Sequence, residues 1–240
     1  MRTQIKDYLI WTESVLVHNR FVLGIGRRLA FVPSQYSRDH DIPYDKIFSR
    51  WQLINLLIEK NGFTKYLEVG VSDPSKCFDK IEVQVKVGVD PDPSAQATFK
   101  MTSDEFFAQN TSKFDVVFVD GLHHANQTER DITNALDVIG ENGFVVCHDM
   151  SPAKESHQLV PRVSATWNGD CWRAWVRLRN SRPDLEMLVV KADEGVGVIW
   201  RGTQKTLNIP NEISWPLFTK YRKYLLNLVS VTYFEKWLDE

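Results

Sequence analysis

The densest group of ionisable side chains in the chain is Asp120, His123, His124, His148 and Asp149. A carboxylate beside an imidazole can take a proton from a hydroxyl, and acids with imidazoles can hold a divalent ion; either favours the ionised form of an oxygen nucleophile. An imidazole with its ordinary pKa of about 6.5 suits proton removal at neutral pH. His124 is expected to be exposed. A second group is Glu68-Val69-Gly70-Val71-Ser72 with Asp90, which closes Val87-Gly88-Val89-Asp90. An acid one βαβ step after a glycine turn is placed to accept both hydrogens of a ribose diol. A third is Trp167-Asn168-Gly169-Asp170-Cys171-Trp172-Arg173, where two indoles stand among polar groups, with His157 upstream. Such a segment can hold a sugar or an aromatic ring, and equally can be a helix start whose indoles pack in the core.

These residues need elements that bring them to one edge. Short apolar runs at Tyr66 to Val69, Val85 to Val89, Phe114 to Val119 and Gly143 to Cys147 each end in an acid or a polar loop. Helical patterns lie at Thr102 to Gln109, opened by the capping box Thr102-x-x-Glu105, and at Gln127 to Ile139. The alternation argues for βαβ units and a parallel sheet, whose ligands sit beyond the carboxyl ends of the strands, at helix N-termini. Upstream, Tyr44 to Lys60 fits a helix capped at Asn61-Gly62, with Ile47, Trp51, Leu53, Ile54, Leu57 and Ile58 as its apolar set. Trp172 to Leu178 is a further helix. Leu185 to Val190 and Val196 to Trp200 flank a short glycine-containing loop and form an antiparallel hairpin. Ile5, Leu9, Leu16 and Leu23 suggest N-terminal helices broken by Gly24 and Gly26, and Trp215 to Leu238 a helical tail. The expected organisation is an N-terminal helical extension (1–45), an α/β domain (46–203) and a C-terminal helical tail (204–240).

Leu67-Glu68-Val69-Gly70, Gly88-Val89-Asp90, Thr102-Ser103-Asp104 and Phe114-Asp115-Val116-Val117-Phe118-Val119-Asp120-Gly121 resemble the motifs of class I S-adenosylmethionine-dependent methyltransferases. Asp120-Gly121-Leu122-His123 with Arg130-Asp131-Ile132, and Gly143 to Asp149, resemble the methyltransferase-24-like subgroup. The resemblance covers about 62–202. It implies a Rossmann-like, doubly wound, mostly parallel seven-stranded sheet ending in an antiparallel hairpin, with S-adenosylmethionine as cofactor. It puts Glu68 and Gly70 at the methionine part, Asp90 at the ribose, Ser103 and Asp104 at the adenine, and Asp120 at the border of cofactor and acceptor. The site is also similar to that of metal-dependent catechol-type O-methyltransferases. That likeness implies a divalent metal on Asp120, His148 and Asp149, with His123 as base and Asp120 beside it. The same residues allow plainer roles, Asp120 and Asp149 serving loop amides and His148 the cofactor side. The first loop departs from the family pattern: Asp73-Pro74-Ser75-Lys76 stands where a further glycine is usual, and Pro74 removes an amide donor.

The expected reaction is O-methylation of a small-molecule or sugar-type (glycan) acceptor, with His157, Trp167 and Trp172 on the acceptor side. Two other readings stay open: a non-catalytic partner protein with this fold, and an NAD-dependent oxidoreductase. The second lacks glycines where Ser72 and Ser75 fall, so a pyrophosphate would not meet bare backbone. With 29 basic against 31 acidic residues, no global field recruits nucleic acid or an anionic membrane. Cys77, Cys147 and Cys171 show neither disulfide nor zinc spacing, so a reducing cytoplasm is the expected compartment. No apolar stretch approaches the roughly 18 residues that span a bilayer, and no leader pattern opens the chain. The appended helices leave room for a homodimer.

Overall fold

The computed structural model describes residue 4 and residues 6–14 and 47–240. Ile5, Leu16, Leu23, Gly24 and Gly26 lie outside the described residues. Residues 6–14 are helical and set Ile10 into the core.

Helix α1 is Arg50–Asn61, closed by Gly62 in the left-handed region at φ 64°. It begins later than the apolar pattern suggests. The Ser49 N–H donates to Gln52 Oε1 at 2.9 Å, which fixes the start and leaves Ile47 outside it, 101% exposed. Strand β1 (Lys65–Val69) follows after a short connection, so the first residue of α1 lies at the carboxyl edge of the sheet. Between β1 and β2 (Val85–Val89) the expected helix is replaced by two short 3₁₀ turns, Pro74–Lys76 and Phe78–Lys80. Pro74 sits at the start of the first, and Asp73 accepts the Ser75 N–H at 3.1 Å. The site therefore has no long-helix N-terminus behind its first loop.

Helix α2 (Ser103–Gln109) opens on the Thr102–Glu105 capping box, as its sequence predicts. Strand β3 (Phe114–Val119), helix α3 (Ala125–Val138), strand β4 (Ile139–Cys147) and helix α4 (Cys171–Ser181) follow, then β5 (Leu185–Val190) and β6 (Val196–Arg201). The tail divides into α5 (Trp215–Leu226), the two-residue strand β7 (Leu228–Val229) and α6 (Val231–Leu238), with Asn227 left-handed at the break.

The seven strands lie in the order β2-β1-β3-β4-β6-β5-β7. The first four are parallel, β6 is antiparallel to both β4 and β5, and β7 is parallel to β5. Alternate side chains face opposite layers, as the strand period of two requires. Leu67, Val69, Val117, Val119, Val145 and Cys147 meet α2 to α5, whereas Tyr66, Val116, Phe118, Phe144 and Val146 meet α1 and α6. Covering both faces with helices is what lets these strands be apolar throughout. No helix among the described residues is long and apolar enough to cross a membrane.

Candidate functional site

The parallel strands deliver their last residues to one edge, and there a cavity of about 860 Å³ opens. Glu68 and Gly70 reach it from β1, Asp90 from β2, Ser103 and Asp104 from the start of α2, Asp120 from β3, and His148 with Asp149 from β4. His123 and Trp167 line the same cavity.

Gly70 has φ +89°, and a Cβ there would stand 2.2 Å from the Asp120 carbonyl oxygen. The Gly70 N–H donates to Val89 O and the Asp120 N–H to Val69 O, both at 2.8 Å. Only glycine lets the three strand ends approach so closely. Asp90 is fixed by two backbone donors, Ser72 N to Oδ2 and Asp92 N to Oδ1, each at 2.8 Å. Each oxygen keeps a second lone-pair direction for a ligand. Gln127 donates to Ser103 Oγ and Asp104 Oδ1 at 3.2 Å and so orients that pair from α3. Glu68 is 1% exposed and accepts the Tyr66 hydroxyl at 2.5 Å. Burial pushes its pKa up to about 8 despite that hydrogen bond, so its carboxyl is mostly protonated at neutral pH.

The acids and imidazoles form one network. His123 Nε2 lies 3.4 Å from Asp120 Oδ1, and its Nδ1 lies 3.3 Å from Asp149 Oδ2 and 3.2 Å from the Trp167 carbonyl. His148 Nδ1 lies 3.4 Å from Asp120 and 3.3 Å from Asp149, and its Nε2 lies 3.5 Å from Asp193. Burial disfavours both imidazolium forms, but the facing carboxylates win and raise both pKa values, His148 well above the ordinary range. Asp120 answers in the opposite direction. Burial alone would raise its pKa, yet the His148 charge and the imidazole hydrogen bonds hold it well below the usual carboxylate range. The pKa of the His123 imidazole therefore lies above the ordinary value expected of it, since each of its nitrogens faces acceptors.

Two members of this network carry no motif. Arg50, the first residue of α1, places Nη1 at 3.2 Å from Asp193 Oδ2 and Nε at 3.7 Å from Asp120 Oδ2, and its N–H donates to Asp193 at 2.8 Å. Asp193 comes from the β5–β6 loop. Strand β5 runs parallel to β4, so its carboxyl end reaches the same edge, a signal available from the hairpin once the topology is known. Among the described residues, Asp120, His123 and Asp149 are the set whose ligand atoms lie within 4.8 Å of one another. The expected third ligand, His148, falls outside that set and His123 inside it.

The acceptor-side expectations divide. Trp172 is fully buried, stacked on Phe218 with centroids 4.1 Å apart, and does not line the cavity, so the structure removes it from substrate contact. His157 also lies off the cavity, its carbonyl accepting the Asn168 N–H at 2.8 Å. Trp167 does line it, but its ring is stacked against His123 at 5.2 Å, which occupies aromatic surface a sugar would need. His124, expected to be exposed, is half-buried, edge-on to Trp167 and off the cavity. Gly169 packs on His123 so closely that a Cβ would stand 1.8 Å from the His123 carbonyl oxygen.

Residues 83–150 match the family model described as a methyltransferase domain. That segment holds Asp90, Ser103, Asp104, Asp120, His123, His148 and Asp149. No curated protein matches the chain. Solved structures similar to it include an S-adenosylhomocysteine-bound methyltransferase from Podospora anserina, at 14% identity over 70% of this chain and 85% of that one, TM-score 0.48. Another is the Streptomyces achromogenes O-methyltransferase involved in tomaymycin synthesis, in complex with S-adenosylmethionine, at 16% identity over 70% and 86%, TM-score 0.47. A Bacillus cereus O-methyltransferase in complex with S-adenosylhomocysteine aligns at 11% identity over 81% and 99%, TM-score 0.45. The matched segment lies within the seven-stranded sheet with its antiparallel hairpin, and over residues 83–150 this chain is similar to a methyltransferase domain.

Proposed function

We propose that the chain is an S-adenosylmethionine-dependent methyltransferase that methylates a hydroxyl of a small-molecule acceptor. The observation that carries this reading is one cavity shared by two sets of residues. Its first part, Glu68, Gly70, Asp90, Ser103 and Asp104, suits the cofactor, and its second, Asp120, His123, His148 and Asp149, suits a hydroxyl that must lose its proton. In the reaction the acceptor oxygen forms a bond to the methyl carbon as the carbon–sulfur bond breaks, S-adenosylhomocysteine leaves, and the acceptor proton passes to the protein. His123, oriented by Asp120 and Asp149, receives that proton as the neutral imidazole.

The donor set Asp120, His123 and Asp149 fits a divalent ion, since two carboxylates and an imidazole converge. An ion held there would take His123 as a ligand and, in place of His123 as base, would act as a Lewis acid on the acceptor oxygen. Asp193 and Arg50 then balance the remaining charge on His148 and Asp120.

Calorimetric titration with S-adenosylhomocysteine, with NAD as control, tests the cofactor assignment. Micromolar binding that Asp90→Ala weakens by about tenfold or more supports it, because two ribose hydrogen bonds to a charged acceptor are lost. Absence of binding with and without added Mn²⁺ would leave a non-catalytic protein with this fold as the better reading.

A further inference from the structure

The methyltransferase reading of the cavity, on which this inference rests, leaves the acceptor class open. Three side chains with permanent or near-permanent positive charge line the cavity: Arg50, Lys76 and Arg162. Arg50 is engaged by Asp193 and Asp120. Lys76 comes from the turn that follows Ser72, on the cofactor side. Arg162 is different. It stands in the long loop before α4, and among the described residues no carboxylate pairs with it.

Its geometry is nevertheless fixed. Arg162 Nε donates to the Ser164 carbonyl at 2.9 Å and Nη2 to the Ala165 carbonyl at 2.5 Å, while the guanidinium lies 5.9 Å from the Trp167 ring centroid. Neutral carbonyls and a ring face orient the fork without cancelling its charge, leaving Nη1 to meet a ligand. The Trp167 ring in turn stacks on His123. These two contacts hold the cation within one small-molecule length of the imidazole. Asp120 and Asp149 contact that imidazole directly, and Asp193 lies beside His148. A ligand spanning from His123 to Arg162 therefore has acids about its hydroxyl end and a cation at its other end. Leu122, 55% exposed, lines the same cavity and offers apolar surface for the body of such a ligand.

We propose that the acceptor carries an oxyanion, a carboxylate or a phosphate ester, which Arg162 holds while the hydroxyl lies at Asp120 and His123. The acidic cluster would repel the anionic end and so enforce one orientation, which makes Arg162 a residue for specificity and positioning.

The test is calorimetric titration of the protein loaded with S-adenosylhomocysteine, using 3,4-dihydroxybenzoate against its methyl ester and glucose 6-phosphate against glucose. In one pair the anionic member should bind about tenfold more tightly, and which pair shows the preference separates carboxylate from phosphate. Arg162→Met should collapse the ratio, Arg162→Glu should invert it, and Arg162→Lys should keep part of it, with affinity for S-adenosylhomocysteine retained in all three. The proposal is overturned if neutral and anionic members bind alike, if none of the four binds, or if Arg162→Met weakens both members of a pair equally. The last result would mean that Arg162 serves only the loop. Failure of S-adenosylhomocysteine itself to bind would instead remove the methyltransferase reading on which the inference stands.

Discussion

Glu68→Gln should make the protein's stability less sensitive to pH. In the native state the Glu68 carboxyl is buried and its pKa is raised from 4.5 to about 8. The native protein therefore keeps a proton that the unfolded chain gives up. The sign follows from linkage: the contribution is fully present below the unfolded pKa and is lost as pH rises through the folded one. Between pH 6 and pH 8 the loss amounts to about 2 kcal/mol for a single site. For a domain of this size that is a fall in Tm of about 4–8 °C. Gln cannot ionise but still accepts the Tyr66 hydroxyl, so the variant should lack this component while keeping the hydrogen bond. The assay is thermal unfolding by circular dichroism at pH 6, 7 and 8, read as parent minus variant so that other titrating groups cancel. Parallel Tm curves differing by less than about 1 °C over that range would refute the argument, since they would mean that Glu68 is already ionised in the folded protein.

Trp172→Ala should cost about 3–5 kcal/mol in urea unfolding, because the ring is fully buried against Phe218; a small loss would put the residue back among acceptor contacts. Gly70→Ala should abolish S-adenosylhomocysteine binding in calorimetry, since the methyl would enter the Asp120 backbone at a positive φ. In a double-mutant cycle, Arg50→Met and Asp193→Asn should each destabilise by about 1–3 kcal/mol and together by less than their sum, whereas additivity would deny the pair. Mn²⁺ should raise the Tm of the parent but not of His123→Ala, while S-adenosylhomocysteine affinity is kept; an equal rise in both would take His123 out of the ion site.

The places of Glu68, Gly70 and Asp90 were legible because each stands at a strand end, marked in sequence by an apolar run stopping at an acid or glycine, and those of Ser103 and Asp104 because a capping box opens α2. The network half was only partly so. Asp120, His123, His148 and Asp149 stand beside strands and drew attention as a cluster, but Arg50 looks like any charged residue at a helix start. Only the short α1–β1 connection reveals that its end of the helix lies at the site. Trp172 was open to both readings, although Trp172, Trp175 and Val176 share the spacing of a buried helical stripe. Local propensity also missed the first crossover, where Asp73-Pro74 closes a 3₁₀ turn and no helix follows. Strand β7 has two residues, too few to register as a period.

That short strand changes what the tail is for. The Val189 N–H donates to Asn227 O and the Lys191 N–H to Val229 O, so the C-terminal segment occupies the hydrogen-bonding groups along the outer side of β5. An open sheet edge of this kind is a template for another chain. Val231 and Phe234 then pin α6 to the layer that also holds α1. Cutting the chain before Leu228 would thus do more than shorten it. It would uncover a row of unsatisfied backbone groups two residues from Asp193, joining self-association to the loosening of a charged group in the cavity.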